Sequence, residues 1–343
     1  MPASSGTDLA PACTPRRSAR NSSMQTTGRI TLTGLLTTSG ALICAASLIG
    51  FGGQIWWVFE LASHFRPQYA LTLGLCLPLL LYRRRYRWAA VFGAFAVLNA
   101  MCLAPRLLPL AEAAVHPGAD QATFRVLLAN VNAANRDYPK MRRAILKYEP
   151  DFIVLLEVTP WLLERLTEFD GRYPHRAVAP REDNFGIALL GRQPFLRTEI
   201  MQFGVAGLPS ITAEIAVGER RLILVGTHPL PPVSAEAAQN RNEQLAALAL
   251  FARQARHPLL LLGDLNVSPW SPYFARLLTD SGLRDSADGR GILPSWPVGL
   301  APLWIPIDHA LYSDGVEILR RETGPTLGSD HYPVIVDFHL ARS

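Results

Sequence analysis

The sequence predicts an α/β catalytic region preceded by an α-helical membrane segment. Two observations point there. Apolar runs of strand length repeatedly adjoin groups suited to cations or phosphate: the leucines at 259–262 lead into Asp264 and Asn266, and the run 334–336 follows Asp330 and His331. Ahead of these, the first third of the chain holds uncharged stretches long enough to cross a bilayer.

A buried strand ending in a carboxylate leaves that group at the rim of a sheet, where solvation is partial and ligands gather. One such end is ordinary, because Asp often caps turns. Four in one chain are harder to explain that way. The other two lie upstream, where residues 124–129 read as a strand ending at Asn130 and residues 151–156 as one ending at Glu157. Between them, 138–148 has a helical pattern, with Met141 and Ile145 four apart. This strand–helix–strand unit delivers Asn130 and Glu157 to one sheet edge. A glutamate after an apolar run is costly if buried alone, so Glu157 is expected to be paired or bound to a cation.

The motifs fall in a definite order: Ala129-Asn130-Val131, Leu155-Leu156-Glu157-Val158, and the run from Asn184 through Gly186 to Leu190. Thr227-His228-Pro229-Leu230, Gly263-Asp264-Leu265-Asn266, Ile307-Asp308-His309 and Ser329-Asp330-His331 follow. In this order they resemble the endonuclease/exonuclease/phosphatase superfamily, which includes pancreatic deoxyribonuclease, abasic-site endonucleases, neutral sphingomyelinases and inositol-polyphosphate phosphatases. The resemblance spans about 124–340. It implies a four-layered α/β sandwich, with two central, mostly antiparallel sheets flanked by helices, and metal-assisted hydrolysis of a phosphodiester or phosphomonoester.

Site roles follow from the residues and from that resemblance. Glu157 is the candidate for direct metal coordination, with Asn130 beside it. Oxygen donors without thiolate favour a hard cation, so Mg²⁺ is expected and Mn²⁺ can substitute. No clustered His or Cys set suggests zinc. Asp264 and Asn266, two apart, share a face if the strand continues. By resemblance Asp264 orients or activates the attacking water and Asn266 binds a phosphate oxygen. Asp308 and His331 form a carboxylate–imidazole pair, His228 assists at the leaving oxygen or phosphate, and Asp330 completes the metal side. Asn184 is a weaker candidate for touching substrate. His309 should face away from Asp308, because strand neighbours alternate. One departure stands out: abasic-site endonucleases have an acid two positions after the first motif Asn, whereas this chain has Asn132. That argues against a DNA-repair role.

Charge divides the chain. Residues 1–105 carry nine Arg against Asp8 and Glu60, and residues 106–343 carry 24 Lys plus Arg against 26 acids. The net charge of +5 therefore belongs to the N-terminal part, which weakens any inference of nucleic-acid binding from overall basicity. The cluster Arg136, Lys140, Arg142 and Arg143 reads as a solvated helix face. All four cysteines precede residue 106, so disulfides play no part in the catalytic region.

Residues 30–59 lack charge, and Trp56, Trp57 and Phe59 suit an interfacial belt. Apolar runs at 67–82 and 88–105 follow. The expected organisation is a basic cytoplasmic tail (1–28), a membrane domain (29–105) with helices at about 30–52, 67–82 and 88–105, a linker (106–123) and a catalytic domain (124–343). Arg16, Arg17, Arg20 and Arg29 precede the first helix, and Arg83, Arg84, Arg85 and Arg87 join the second to the third. The positive-inside rule then places both in the cytoplasm. Three crossings deliver the catalytic domain to the other side, the periplasmic face of the inner membrane in a bacterium.

The predicted function is a membrane-anchored, Mg²⁺-dependent phosphoesterase with a nuclease-like phosphodiester substrate. A lipid-, sphingomyelin- or inositol-phosphate-directed enzyme is the alternative. The partners implied are the phosphate ester and the bilayer; no protein partner is legible. An inactive interaction module would lack acids or histidines that are all present here. A transporter would need polar groups within the membrane runs. The loop 285–306, with Trp296 and Trp304, reads slightly more as ordinary packing than as a substrate-facing element.

Overall fold

The computed structural model describes residues 31–109 and 122–341. The expected tail 1–28 and most of the linker lie outside the described residues. The chain enters through α1 (Leu32–Ile49), capped by the Thr31 hydroxyl accepting from the Gly34 N–H at 3.0 Å. A short helix, α2 (Trp57–Ser63), leads to α3 (Arg66–Tyr82) and α4 (Tyr86–Leu107). Leu73 and Leu80 of α3 pack with Ala89 and Phe92 of α4 and Cys44 of α1. At Gly40 an added Cβ would lie 2.0 Å from the Phe92 ring, so only glycine allows α1 this close.

Two segments, Leu32–Gly52 and Tyr86–Leu107, are long and apolar enough to cross a membrane. The expected middle run does form a helix, but at 17 residues α3 is shorter, begins at a buried Arg66 and contains Pro78. The expectation of three such segments is therefore met for two. Arg66 Nη1 donates to the Ser47 carbonyl at 2.9 Å and to Asn99 Oδ1 at 3.1 Å, so the helix ends nearest the catalytic fold carry a polar network.

The catalytic fold is built on two six-stranded sheets. The first contains β1 (Phe124–Asn130), β2 (Phe152–Leu156), β3 (His175–Ala179) and β4 (Ile187–Gly191). The second contains β5 (Phe195–Gln202), β6 (Pro209–Val217), β7 (Arg220–Thr227), β8 (Leu259–Asp264), β9 (Arg284–Asp285) and β10 (Asp308–Tyr312). The chain then returns to the first sheet as β11 (Val316–Thr323) and β12 (Val334–Leu340). Strand orders are β11-β12-β1-β2-β4-β3 and β5-β6-β7-β8-β10-β9. The pairs β1–β2 and β7–β8 are parallel and the rest antiparallel, so the mostly antiparallel expectation holds.

Side-chain alternation fixes what each face meets. Val126, Leu128, Val154 and Leu156 of the first sheet meet Leu224, Leu260 and Leu262 of the second in the central core. On the outer face of the first sheet, Leu127 and Ile153 pack on Met141 and Ile145 of α5 (Tyr138–Tyr148) and Leu162 of α6 (Pro160–Arg165). On the second, Leu259 and Leu261 pack on Leu245 and Leu248 of α7 (Ala235–Gln254) and Phe274 of α8 (Pro272–Ser281). This is the four-layered α/β sandwich. Lys140 and Arg142 of α5 pair with Asp137 and Glu168 at the surface, in keeping with a solvated face.

The N-terminal helices meet the catalytic fold at α2, at α3, where Gln68 Nε2 donates to the Trp304 carbonyl at 2.8 Å, and at the end of α4. Glu60 of α2 is fully buried, pairs with Arg241 of α7, and accepts from Ser271 Oγ at 2.6 Å. His64 Nδ1 lies 2.7 Å from Ser268 Oγ. At the end of α4, buried Arg106 pairs with Asp285 at 2.6 Å, and its carbonyl accepts from the Gly291 N–H at 2.7 Å. Buried charges persist only when paired in this way.

Candidate active site

The same alternation that builds the central core delivers the site. Asn130 continues the inward register of Val126 and Leu128, Asp264 that of Leu260 and Leu262, and Asp308 that of Ala310 and Tyr312. Antiparallel pairing sets Asp308 directly across from Asp264, and parallel pairing sets Thr227, just before His228, across from Gly263. His331 precedes β12, whose Val334 pairs with Leu128 near the end of β1. One rim of the two sheets therefore collects all of these groups.

Glu157 has the opposite register, since Ile153 and Leu155 face outward. It enters the site because its backbone turns left-handed, with φ +62°. Asn132 (φ +59°) and Asn266 (φ +51°) do likewise. Each such non-glycine residue costs roughly 1–2 kcal/mol, and strain of this kind gathers at functional loops. Gly186 makes room for the Glu157 turn: a Cβ there would lie 1.9 Å from the Val158 carbonyl.

Asn130 Nδ2 donates to Glu157 Oε1 at 2.9 Å and to Asp264 Oδ2 at 3.1 Å. Glu157 Oε2 accepts from the Ala133 N–H at 2.9 Å. His331 Nδ1 lies 2.8 Å from Asp308 Oδ2, and its Nε2 lies 3.6 Å from Asp264 Oδ2. His228 Nε2 approaches the same Asp264 oxygen at 3.5 Å, and Asn266 Nδ2 lies 3.4 Å from His228 Nε2. Burial alone would lower the His331 pKa, but Asp308 and Asp264 outweigh it and raise it to about 10. Burial would raise Asp264, yet His331 and His228 hold it at about 2. The centre is thus an imidazolium between two carboxylates.

Asp330 is placed differently from the other candidates. Its exposed carboxylate accepts from Asn132 Nδ2 at 2.8 Å, from Trp296 Nε1 at 3.0 Å and from Ser329 Oγ at 3.5 Å, and not from Asn130. Burial would raise its pKa, but the Asn132 hydrogen bond and His331 bring it below the usual carboxylate value. Asn132 thus donates to an acid where abasic-site endonucleases carry one. Asn184 lines the rim of the cavity. His309 faces away, bonded to Asp285 at 3.2 Å and the Val267 carbonyl at 2.8 Å.

Two groups of oxygens compete for a cation. Ligand atoms of Asp264, Asp308 and His331 lie within 4.8 Å of one another. His331 Nδ1 is turned to Asp308 and its Nε2 to Asp264, so that set reads as a carboxylate–imidazole relay. Glu157 retains free lone pairs on both carboxylate oxygens at the cavity surface, and these fit a hard divalent cation; Asn130 turns its amide nitrogen to Glu157, while its Oδ1 accepts from the Asn132 N–H at 3.1 Å.

These groups open into a cavity of ≈ 800 Å³. Glu157, Asp264, His228 and His331 share it with Phe185, Leu230, Val233, Trp296, Ile305 and Ile307. No Lys or Arg is among the described residues lining it. The sequence reading missed its remaining wall, Leu61, His64 and Phe65, and undervalued the loop around Trp296 and Ile305. Trp296 is a correction: it faces the cavity and holds Asp330 as well as packing.

Residues 127–331 match the family model described as Endonuclease/Exonuclease/phosphatase family, and the chain belongs to that family. Its members are metal-dependent hydrolases of phosphate esters, and this chain is one by fold and site. No curated protein matches it significantly. Among solved structures, it is similar to humanized D. rerio TDP2 (TM-score 0.54, 16% identity, 63% of this chain and 98% of that one). The human Nocturnin catalytic domain gives 0.52 at 20% identity, over 64% and 95% of the two chains. An endonuclease/exonuclease/phosphatase from Beutenbergia cavernae gives 0.52 at 20%, over 64% and 72%. At these identities the likeness is one of fold.

Proposed function

We propose that the chain is a membrane-anchored, Mg²⁺-dependent phosphodiesterase whose substrate carries an apolar group next to the scissile phosphate. The observation that carries this is the cavity lining: aromatic and aliphatic walls around the acids, without Lys or Arg. A nucleic-acid strand is held chiefly through phosphates by such cations. A lipid-like phosphoester needs one neutralised phosphate and an apolar surface.

Glu157 would hold a divalent cation, joined by Asn130 once its amide oxygen turns to that side and by Asp330 nearby, and the ion would supply neutralisation of charge on a phosphoryl oxygen. Asp264, held ionised, accepts a hydrogen bond from the attacking water and aims it at phosphorus. Asn266 donates its amide to a phosphate oxygen. His331 keeps its proton through Asp308 and presents Nε2–H to the developing negative charge. His228, whose Nδ1 is buried without a partner, stands beside Asp264 to serve the leaving oxygen. Asn184 contacts substrate at the rim.

The helices support anchoring, with Arg83, Arg84, Arg85 and Arg87 at the end of α3 away from Arg66 and the catalytic fold. On the positive-inside rule these arginines are cytoplasmic and the catalytic domain (124–343) lies across the membrane.

The test uses the full chain in a phosphate-free detergent with Mg²⁺, Mn²⁺ or EDTA. Substrates are bis-p-nitrophenyl phosphate, sphingomyelin, phosphoinositides, plasmid DNA and RNA, with His331→Ala as control. Metal-dependent cleavage favouring the lipids is expected. Preference for DNA or RNA would replace the substrate assignment with a nuclease, and no turnover of any would overturn the enzyme assignment.

A further inference from the structure

We propose that the end of α2 and the turn after it, residues 61–65, are part of the active site and select substrates by the apolar chain attached to the phosphate. This rests on reading the cavity as the substrate site. Leu61, His64 and Phe65 line the same cavity as Glu157, Asp264 and His331, although they lie before the sandwich in the chain. They are not incidental neighbours, because a buried network holds them in place. Glu60 is fully buried on Arg241 and Ser271, and His64 is held by Ser268.

Arg241 links this wall to the chemistry. Its guanidinium binds Glu60 and also donates through Nη1 to the Asn266 carbonyl at 2.9 Å. One buried cation therefore fixes both the turn and the loop presenting Asn266. The wall is also uncharged. Burial, then the nearby Arg241, lowers His64 to about 3, so it faces the cavity as neutral imidazole between Leu61 and Phe65. Position gives the direction of approach. Residues 61–65 lie between the end of Leu32–Gly52 and the start of α3, where membrane-spanning helices would emerge. An apolar chain on this wall therefore runs toward the bilayer. With Glu157, Asp183 and Asp264 in the lining and no Lys or Arg, a substrate with one charged phosphodiester suits the cavity better than a polyanion.

The experiment uses the full chain in maltoside micelles with p-nitrophenyl n-alkyl phosphodiesters of one, six and ten carbons, as order-of-size probes of about 0.8 kcal/mol per buried methylene at most. Water attacks phosphorus, the P–O bond to the nitrophenolate breaks, and the products are nitrophenolate and the alkyl phosphate. For the native chain KM is expected to fall roughly tenfold or more from the shortest to the longest alkyl chain. Phe65→Ser and Leu61→Ser should raise KM for the longest substrate to about that of the shortest. The loss should therefore grow with chain length and fall on KM more than on kcat, and a circular dichroism spectrum matching that of the native chain shows that the variants fold. Partition into micelles is common to all variants, so differences between them report the protein. A native KM independent of chain length, or variants that slow all three substrates equally, would overturn the proposal. If no diester is cleaved, the enzymatic reading fails separately, and titration calorimetry with ethyl and n-decyl phosphate still decides the wall. Tighter decyl binding lost in Phe65→Ser supports it, and equal binding overturns it.

Discussion

His331 Nδ1 lies 2.8 Å from Asp308 Oδ2, while Asp308 sits directly across the ladder from Asp264. A proton on His331 is thus held between two acids on paired strands. Removing it by His331→Ala should lower kcat by about 10²–10⁴-fold, the usual worth of a positioned proton donor. Asp308→Asn should cost less, because the imidazole remains. Steady-state kinetics on bis-p-nitrophenyl phosphate, with circular dichroism to confirm folding, checks both. Retention of native kcat by His331→Ala would remove it from the chemistry.

Glu157 gives a metal prediction. EDTA should abolish turnover, and Mg²⁺ or Mn²⁺ should restore it. Glu157→Gln keeps the shape and the left-handed turn but loses the charge, so it should raise the Mg²⁺ concentration for half-maximal activity by about tenfold or more. A native metal requirement in Glu157→Gln would place the cation elsewhere.

The Glu60–Arg241 pair is buried on both sides. Truncating one partner leaves an unpaired buried charge, which costs about 3–5 kcal/mol. Glu60→Ala should therefore lower the unfolding midpoint of the full chain markedly, and the double variant Glu60→Ala/Arg241→Met should recover part of the loss. An unchanged midpoint in Glu60→Ala would mean that the two parts do not dock in this way.

His64 predicts how that contact responds to pH. Its folded pKa is about 3 against an ordinary 6.5, so the unfolded chain takes up the proton first. Above pH 6.5 it has no effect; between 6.5 and about 3 stability falls with acidity, by roughly 1.4 kcal/mol per pH unit at most. Below about 3 the loss levels off. Denaturant midpoints of the native chain and His64→Asn, compared from pH 7.5 to 4.5, should therefore converge toward acid pH as the native chain loses its advantage. Parallel curves would show that His64 is not buried.

The anchoring proposal predicts that alkaline carbonate leaves the full chain in the membrane fraction. Release into the supernatant would mean that Leu32–Gly52 and Tyr86–Leu107 are not embedded.

Much of this site was legible because it obeys strand alternation. Asn130, Asp264 and Asp308 share the register of the core residues before or after them, so apolar runs ending in polar groups marked them. Glu157 was marked by the apolar run that it ends, but it breaks that register, and the left-handed backbone that brings it into the site has no signature in the residue itself. The wall of Leu61, His64 and Phe65 was hidden for another reason. It lies between apolar helices, where hydrophobic residues signal a bilayer, and nothing local to Glu60 points to Arg241, 181 residues on in the chain. Trp296 sits in a proline-rich loop without periodicity, so its bond to Asp330 depends on long-range folding alone.

Glu60 on Arg241 and Arg106 on Asp285 are two separate points at which the helices dock on the sandwich. A domain on a loose tether can swing, tilt and sample a wide shell of solvent. Here the mouth of the cavity is held at one height and one tilt relative to the helices. Were those helices embedded, as proposed, its reach would be set by geometry, and only groups presented near that plane would enter.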